Sequence, residues 1–169
     1  GLRTGAAAAR GELTLFIDSD CTYPPREIPA LLGCMDDATD IVTASPYHAR
    51  GGVVGVPRYR LFLSRVLSRA YQLVTRSDVA TFMSKFRVYR SYVLATVPRW
   101  SDGYVAMAET LVHPMLSGRT VREFPTVLHT RRYSSSKIRL ASVIGAHVRF
   151  LASLLRDRAL GRRRRSVTG

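Results

Sequence analysis

Short apolar segments alternate along the chain with longer stretches in which apolar residues recur at helical spacing. Residues 13–17 are mostly apolar and are followed by Asp18-Ser19-Asp20, so they predict a buried strand of a parallel sheet. Residues 26–36 have apolar residues at helical spacing, and residues 41–45 predict a second short strand. Strand, helix and strand within about 30 residues predict a βαβ unit.

Beyond residue 45 the pattern predicts further helices, strands and loops around the same sheet. The helices are residues 58–76, 104–117 and 138–160, the strands 82–89 and 120–128, and the loops 48–57 and 130–137. Pro125 interrupts the last strand, which places that strand at a sheet edge. These elements together predict an α/β fold. The chain opens on Gly1 inside a predicted helix, residues 1–10, so we expect it to be part of a longer protein.

The net charge of +14 is unevenly distributed over the 169 residues. Residues 1–50 hold four basic and seven acidic residues, a net of −3, whereas residues 51–169 hold twenty-two basic and five acidic residues, a net of +17. This split indicates an anionic partner for the second segment: a phosphate, a membrane surface or a nucleic acid. The basic stretches contain few of the interleaved aromatic residues that stack on nucleic acids, so we expect no nucleic-acid partner.

Cysteine content and hydropathy favour a cytosolic location without a membrane span. Cys21 and Cys34 have neither metal-ligand spacing nor the number that a disulfide framework needs, which favours a reducing compartment. No apolar run reaches the roughly 18 residues of a membrane-spanning helix.

Two of the predicted helices are both amphipathic and basic. The helix 58–76 has an apolar side, and four arginines share another face: Arg58, Arg65, Arg69 and Arg76. The helix 138–160 precedes four consecutive arginines, residues 162–165, which we expect to form a charged tail. Such helices lie among anionic lipid headgroups, so we expect peripheral docking at a membrane surface. The alternative is that both helices pack on the sheet, and for 58–76 both interpretations hold on different faces.

The aspartates Asp18 and Asp20 are the clearest candidates for chemistry. Two carboxylates one residue apart, at the end of a buried strand, are suited to binding one Mg²⁺ or Mn²⁺ ion. Ligands of open α/β sheets bind at the carboxyl ends of the strands, which is where this pair is expected. The alternative is a loop whose aspartates cap a helix or face water.

A basic, serine-rich loop and one carboxylate are further candidates. Residues 131–137 contain Arg131, Ser136 and Lys137, which are suited to binding phosphate oxygens; the alternative is a solvated loop. Glu109 lies among apolar residues of a predicted helix, where it is either a base, a substrate clamp or an ion-pair partner, or an exposed side chain. The four histidines do not cluster by spacing, and we expect each to be a loop or helix-surface residue.

Five segments, in order, resemble glycosyltransferase family 2, close to the dolichol-phosphate mannosyltransferases and the bacterial polyprenyl-phosphate glycosyltransferases. The segments are residues 15–25 with the Asp-x-Asp and Pro-Pro turn, 86–90, 103–111, 122–126, and the loop with Arg131, Ser136 and Lys137. The resemblance covers about residues 1–150. Thr22 departs from the family, which often has glutamine there.

The resemblance implies a partial GT-A fold in which residues 1–150 are the C-terminal portion of the domain. Residues 151–169 are then the end of an amphipathic helix and a basic tail. It implies transfer of a sugar, with inversion, from GDP-mannose or a UDP-hexose to a polyprenyl or dolichyl phosphate, at the cytoplasmic face of a membrane. The alternative acceptor is a cell-envelope glycan or glycolipid, and the alternatives to transferase activity are a basic nucleic-acid-binding module and an inactive fragment.

The same resemblance assigns roles to individual residues. It implies catalytic roles for Asp20 and Glu109, and Mg²⁺ or Mn²⁺ as a cofactor. The implied metal ligands are Asp18, Asp20 and Thr22, and the implied phosphate-binding residues are Asp18, Arg60, Arg131, Ser136 and Lys137.

Overall fold

A computed structural model describes residues 1–98, 101, 103–130 and 140–167, with the backbone alone for residues 140 and 161–167. The fold combines helices and strands, which confirms the predicted α/β class. The helices are α1 (Leu2–Ala8), α2 (Ile28–Leu32), α3 (Arg58–Thr75), α4 (Ser91–Ala95), α5 (Val105–Leu116) and α6 (Leu140–Val167). The strands are β1 (Leu13–Phe16), β2 (Ile41–Ser45), β3 (Gly52–Val54), β4 (Arg87–Arg90), β5 (Val121–Pro125) and β6 (Val127–His129).

The main sheet is mixed, in the order β1-β4-β2-β5. Strand β4 runs antiparallel to both of its neighbours, with Arg87 opposite Phe16 on one side and Thr43 on the other, whereas β2 and β5 are parallel. The prediction of a parallel sheet with a simple βαβ unit is therefore wrong: β1 and β2 run in the same direction but are separated by β4. Hydrophobic periodicity identifies a strand but not its neighbours, which explains the error.

Strand β5 forms an edge of this sheet, which confirms the position predicted from Pro125. The predicted strand 120–128 is in fact two strands, and Thr126 is the junction between them. Its N–H donates to the carbonyl of Ser45 at 3.4 Å, and its own carbonyl accepts from the N–H of Gly52 at 3.0 Å. The chain thereby leaves β2 and pairs with β3, a strand inside the predicted loop 48–57.

Apolar side chains cover both faces of the main sheet. Ile41 and Tyr89 face a cluster built with α3, α5 and α6, whereas Val42 and Val88 face a smaller cluster built with α2. All of β2 is buried. Such two-sided burial keeps the strands rigid, so the loops at their ends are held in place.

Helices α3 and α6 pack on each other through a buried contact between Tyr71 Oη and His147 Nδ1, 2.7 Å apart. His147 is fully buried, so the expectation that it lies on the surface is wrong. Helix α6 continues to Val167, where the sequence predicted a charged tail at 162–165. Strand β4 begins at Arg87, five residues later than predicted, and the shorter α2 follows a 3₁₀ turn at Pro25–Glu27.

Candidate active site

The loop after β1 carries both aspartates of the sequence prediction. Cys21 lies in the left-handed region at φ 55°, so the chain reverses sharply there. The N–H and hydroxyl of Thr22 both donate to Asp20 Oδ1, at 3.2 and 2.9 Å. Asp18, Asp20 and Thr22 thus lie on one short loop, and the Thr22 hydroxyl orients the Asp20 carboxylate. Their proposed metal roles stay predictions.

Lys85 makes an ion pair with Asp18 that sequence reasoning did not find. Its Nζ lies 2.7 Å from Asp18 Oδ1, and the two side chains are 25% and 27% exposed. One signal in the sequence could have drawn attention to it, because only two of the 26 basic residues are lysines, Lys85 and the candidate Lys137.

Tyr104, the residue before α5, lies next to the Lys85 ammonium. The Lys85 ammonium lies 5.5 Å from the centre of the Tyr104 ring, within the range of a cation–π contact. Three residues earlier, Ser101 is bound to α5 by Glu109, which accepts a hydrogen bond from the Ser101 N–H at 2.6 Å and another from its hydroxyl. Glu109 is only 6% exposed, so its interpretation as an exposed side chain is wrong. The carboxylate thus anchors Ser101, three residues before Tyr104.

Arg87 is a fully buried cation that holds four parts of the fold together. Its Nε donates to Thr43 Oγ1 at 3.0 Å, and Nη1 donates to the Met107 carbonyl at 2.8 Å and to the Tyr89 hydroxyl at 3.0 Å. Nη2 donates to the Phe82 carbonyl at 3.1 Å. These bonds fix β4 against β2 and α5. The bond to Phe82 also holds the segment before Lys85, which is not part of a β-strand.

Tyr23, which directly follows Thr22, packs against the ring of Phe86. Its ring centre is 5.7 Å from that of Phe86, and its side chain is almost fully buried. Burial raises the pKa of Tyr23 to about 12. The phenol therefore stays neutral at physiological pH, which limits it to packing and hydrogen bonding.

His129 and Thr130, the last described residues before the basic loop, lie beside the aspartate loop. The N–H of His129 donates to the Thr22 carbonyl at 2.9 Å. The N–H and hydroxyl of Thr130 donate to the Val54 carbonyl, each at 3.1 Å. Gly55, which follows Val54, has φ +75°, and a Cβ at this position would lie 2.2 Å from Thr130 Oγ1. This packing anchors the residue that precedes Arg131.

The remaining predicted site residues are not brought to the aspartates by the described contacts. Arg131, Ser136 and Lys137 lie outside the described residues. Arg60, on the first turn of α3, donates from Nε to the hydroxyl of its neighbour Tyr59 at 3.2 Å.

The donor set of the aspartate loop fits a hard divalent cation. Asp18 and Asp20 offer carboxylate oxygens, and Mg²⁺ is commonly bound through one or two carboxylates together with substrate phosphates and water. Within residues 1–98, 101, 103–130 and 140–160, no group of three or more His, Cys, Asp or Glu side chains could hold a metal ion. Any further ligands would therefore come from substrate, solvent or non-carboxylate groups.

Comparison with protein families and curated proteins gives consistent matches. The model of the family described as Glycosyl transferase family 2 matches residues 1–97. The chain is 27% identical over 137 residues to a dolichol-phosphate mannosyltransferase of Pyrococcus furiosus, covering 80% of this chain and 38% of that protein. It is 24% identical over 127 residues to a dolichyl-phosphate hexose transferase of Haloferax volcanii, covering 74% of this chain and 54% of that protein. The chain thus spans about half the length, or less, of these relatives.

Solved structures of glucosyl-3-phosphoglycerate synthase from Mycobacterium tuberculosis have a similar fold. The complex with phosphoglyceric acid superposes with a TM-score of 0.63 at 21% identity, covering 93% of this chain and 53% of that one. The complex with Mn²⁺, UDP-glucose and glycerol 3-phosphate gives a TM-score of 0.61 at 20% identity, with the same coverage. At this identity the likeness shows the fold, and it confirms the predicted partial GT-A fold.

Proposed function

The chain belongs to glycosyl transferase family 2, and from this membership we propose that the protein transfers a sugar from a nucleoside-diphosphate sugar to a polyprenyl or dolichyl phosphate. The observation that carries the proposal is the convergence of charged groups at one edge of the sheet. Asp18 and Asp20, the Lys85 ammonium and the anchored start of the basic loop at Thr130 all lie there. The two curated relatives described above are named for transfer to a dolichyl phosphate, which supports this class of acceptor.

In the proposed reaction, a phosphate oxygen of the acceptor attacks the anomeric carbon of the donor sugar. The bond from that carbon to the diphosphate breaks, the nucleoside diphosphate leaves, and the configuration inverts. An acceptor phosphate is already ionised at neutral pH, so the reaction needs no strong general base. Glu109 then acts by holding Ser101, and through it Tyr104, in position.

The other residues of the site are proposed to bind the metal ion, to orient its ligands and to bind phosphate oxygens. Asp18 and Asp20 would hold Mg²⁺ or Mn²⁺, which when bound supplies positive charge to the diphosphate leaving group. Thr22 keeps the Asp20 carboxylate in a fixed orientation through two hydrogen bonds. Arg60, Arg131, Ser136 and Lys137 are proposed to bind phosphate oxygens of donor or acceptor.

A membrane surface is the proposed location, at its cytoplasmic face, because the acceptor chain stays in the bilayer. Helix α3 buries Tyr71 and Val74 against the core but leaves a stripe of apolar side chains exposed. The stripe consists of Tyr59, Phe62, Val66 and Leu73, which are 55%, 66%, 53% and 79% exposed.

The arginines beside this stripe favour an anionic lipid surface as its occupant. Arg58, Arg65 and Arg69 lie beside the stripe on α3, Arg76 directly follows the last residue of the helix, and all four are exposed. Each cation near an anionic leaflet contributes about 1 kcal/mol of binding. No helix in the described part of the chain is both long and apolar enough to cross a bilayer. The proposed mode is therefore interfacial, and residues 151–169, which include the end of α6, are proposed as a second basic segment.

The test is donor turnover by the protein carrying Asp20→Asn. Asparagine keeps an oxygen that can accept both hydrogen bonds from Thr22, while the charge of the carboxylate is lost. We expect at least a ~100-fold loss of transfer. Asp37→Asn is the matched control, because Asp37 is exposed and lies in the turn before β2.

The assay offers radiolabelled GDP-mannose or UDP-hexose with a polyprenyl phosphate, a glycolipid or a cell-envelope glycan. Transfer to the lipid phosphate supports the proposal, and transfer only to another acceptor supports the alternative. Full activity of the Asp20→Asn protein would contradict the role of the aspartate loop.

A further inference from the structure

The ion pair between Lys85 and Asp18 is better shielded than an ordinary surface pair. The 2.7 Å distance is that of a charge-assisted hydrogen bond, and about three quarters of each side chain is buried. Lys85 directly precedes Phe86 and Arg87, which are fully buried, so its backbone is fixed. The ammonium is thus held against Asp18 by the architecture of the site.

This pair competes with a divalent cation for the same carboxylate. Asp18 Oδ1 already accepts a hydrogen bond from Lys85, and a second cation bound to that carboxylate would be repelled by the ammonium. A divalent ion must therefore displace Lys85 or bind weakly. The lysine side chain is long and flexible, and the Tyr104 ring, 5.5 Å from the ammonium, stays a cation–π partner when the ammonium leaves Asp18.

We propose that Lys85 is an internal counter-ion of Asp18 that couples the binding of the divalent cation to the binding of the donor diphosphate. Without donor, Lys85 neutralises Asp18 and lowers the affinity for the metal ion. When a nucleoside diphosphate binds, its oxygens accept hydrogen bonds from the displaced Lys85 ammonium. The divalent cation and the diphosphate therefore bind more tightly together than either does alone. This inference rests on the proposed function, because it takes the aspartate loop as the cation site.

The test is direct Mn²⁺ binding, measured by electron paramagnetic resonance and calorimetry without and with GDP or UDP. The variant is Lys85→Met, and Lys85→Gln repeats the charge loss with a polar side chain. Arg122→Met is the matched control, since it removes a cation paired with an aspartate, Asp36 at 3.0 Å, in an exposed position.

We expect Lys85→Met to bind Mn²⁺ alone about tenfold more tightly and to bind the nucleoside diphosphate with Mn²⁺ about tenfold more weakly. The factor by which nucleotide strengthens Mn²⁺ binding then falls, and by reciprocity so does the factor by which Mn²⁺ strengthens nucleotide binding. Arg122→Met should change neither affinity.

Two contrary outcomes separate this inference from the proposed function. Asp20→Asn is measured alongside and should lose Mn²⁺ binding. If it does, while both Lys85 variants bind Mn²⁺ as wild type does or more weakly, only the role of Lys85 is overturned. If no variant binds Mn²⁺ with or without nucleotide, while glycosyl transfer persists in a chelator, both the metal role and the coupling are overturned.

Discussion

The buried His147 predicts a specific dependence of stability on pH. Its ring is fully buried between α3 and α6, with Nδ1 2.7 Å from Tyr71 Oη. Nε2 is also buried, and no described residue offers it a hydrogen bond. A proton added to this ring would place an unpaired charge in the core, and burial accordingly lowers the pKa of His147 from 6.5 to about 4.

Stability decreases as the pH is lowered, because the unfolded chain binds a proton at His147 at a higher pH than the folded chain does. The unfolded chain protonates His147 near pH 6.5, whereas the folded chain resists protonation until about pH 4. The contribution to stability is therefore complete above pH 6.5 and is lost as the pH falls toward 4. Between pH 7 and pH 5 the two pKa values convert to about 2 kcal/mol of lost stability.

The variant His147→Gln removes the titration and keeps a carbonyl oxygen that can accept a hydrogen bond from Tyr71. Urea unfolding of both proteins at pH 7 and pH 5 gives four free energies of unfolding. Wild type should lose about 2 kcal/mol more than the variant over this interval. His113, whose pKa burial also lowers, is present in both proteins, so its effect cancels in the difference. Equal losses in the two proteins would refute the reasoning.

Two further predictions concern the site loop and the apolar stripe of α3. Glu109→Ala removes both hydrogen bonds to Ser101 and should lower the free energy of unfolding by about 1–3 kcal/mol, together with transfer activity. Thermal unfolding and the transfer assay measure this, and full activity would show that the anchor is dispensable. Changing Phe62 and Leu73 to serine together should weaken sedimentation with anionic phospholipid vesicles at least ~10-fold, because each buried apolar side chain contributes about 1.5–3 kcal/mol. Leu116→Ser, at an exposed position on α5, is the control, and equal sedimentation of both proteins would remove α3 from the membrane proposal.

Local pattern was enough to predict most elements, but burial at particular positions escaped it. Strand β1, the long helix α3 and the edge position of β5 follow from apolar spacing and from Pro125. Glu109 and His147 are both buried, yet the residues around each are compatible with either face of a helix. Burial of such a residue depends on the partner that packs against it, and that partner is distant in the chain.

The sequence by itself determined the α/β class, the family resemblance and the position of the aspartates at the end of a strand. These features depend on residues that are close in the chain, where spacing and turn chemistry suffice. Only the tertiary structure decided that β4 lies between β1 and β2, and that Lys85 reaches Asp18 across 67 positions of sequence. Contacts of this kind arise from the packing of whole strands and helices, which no local periodicity encodes.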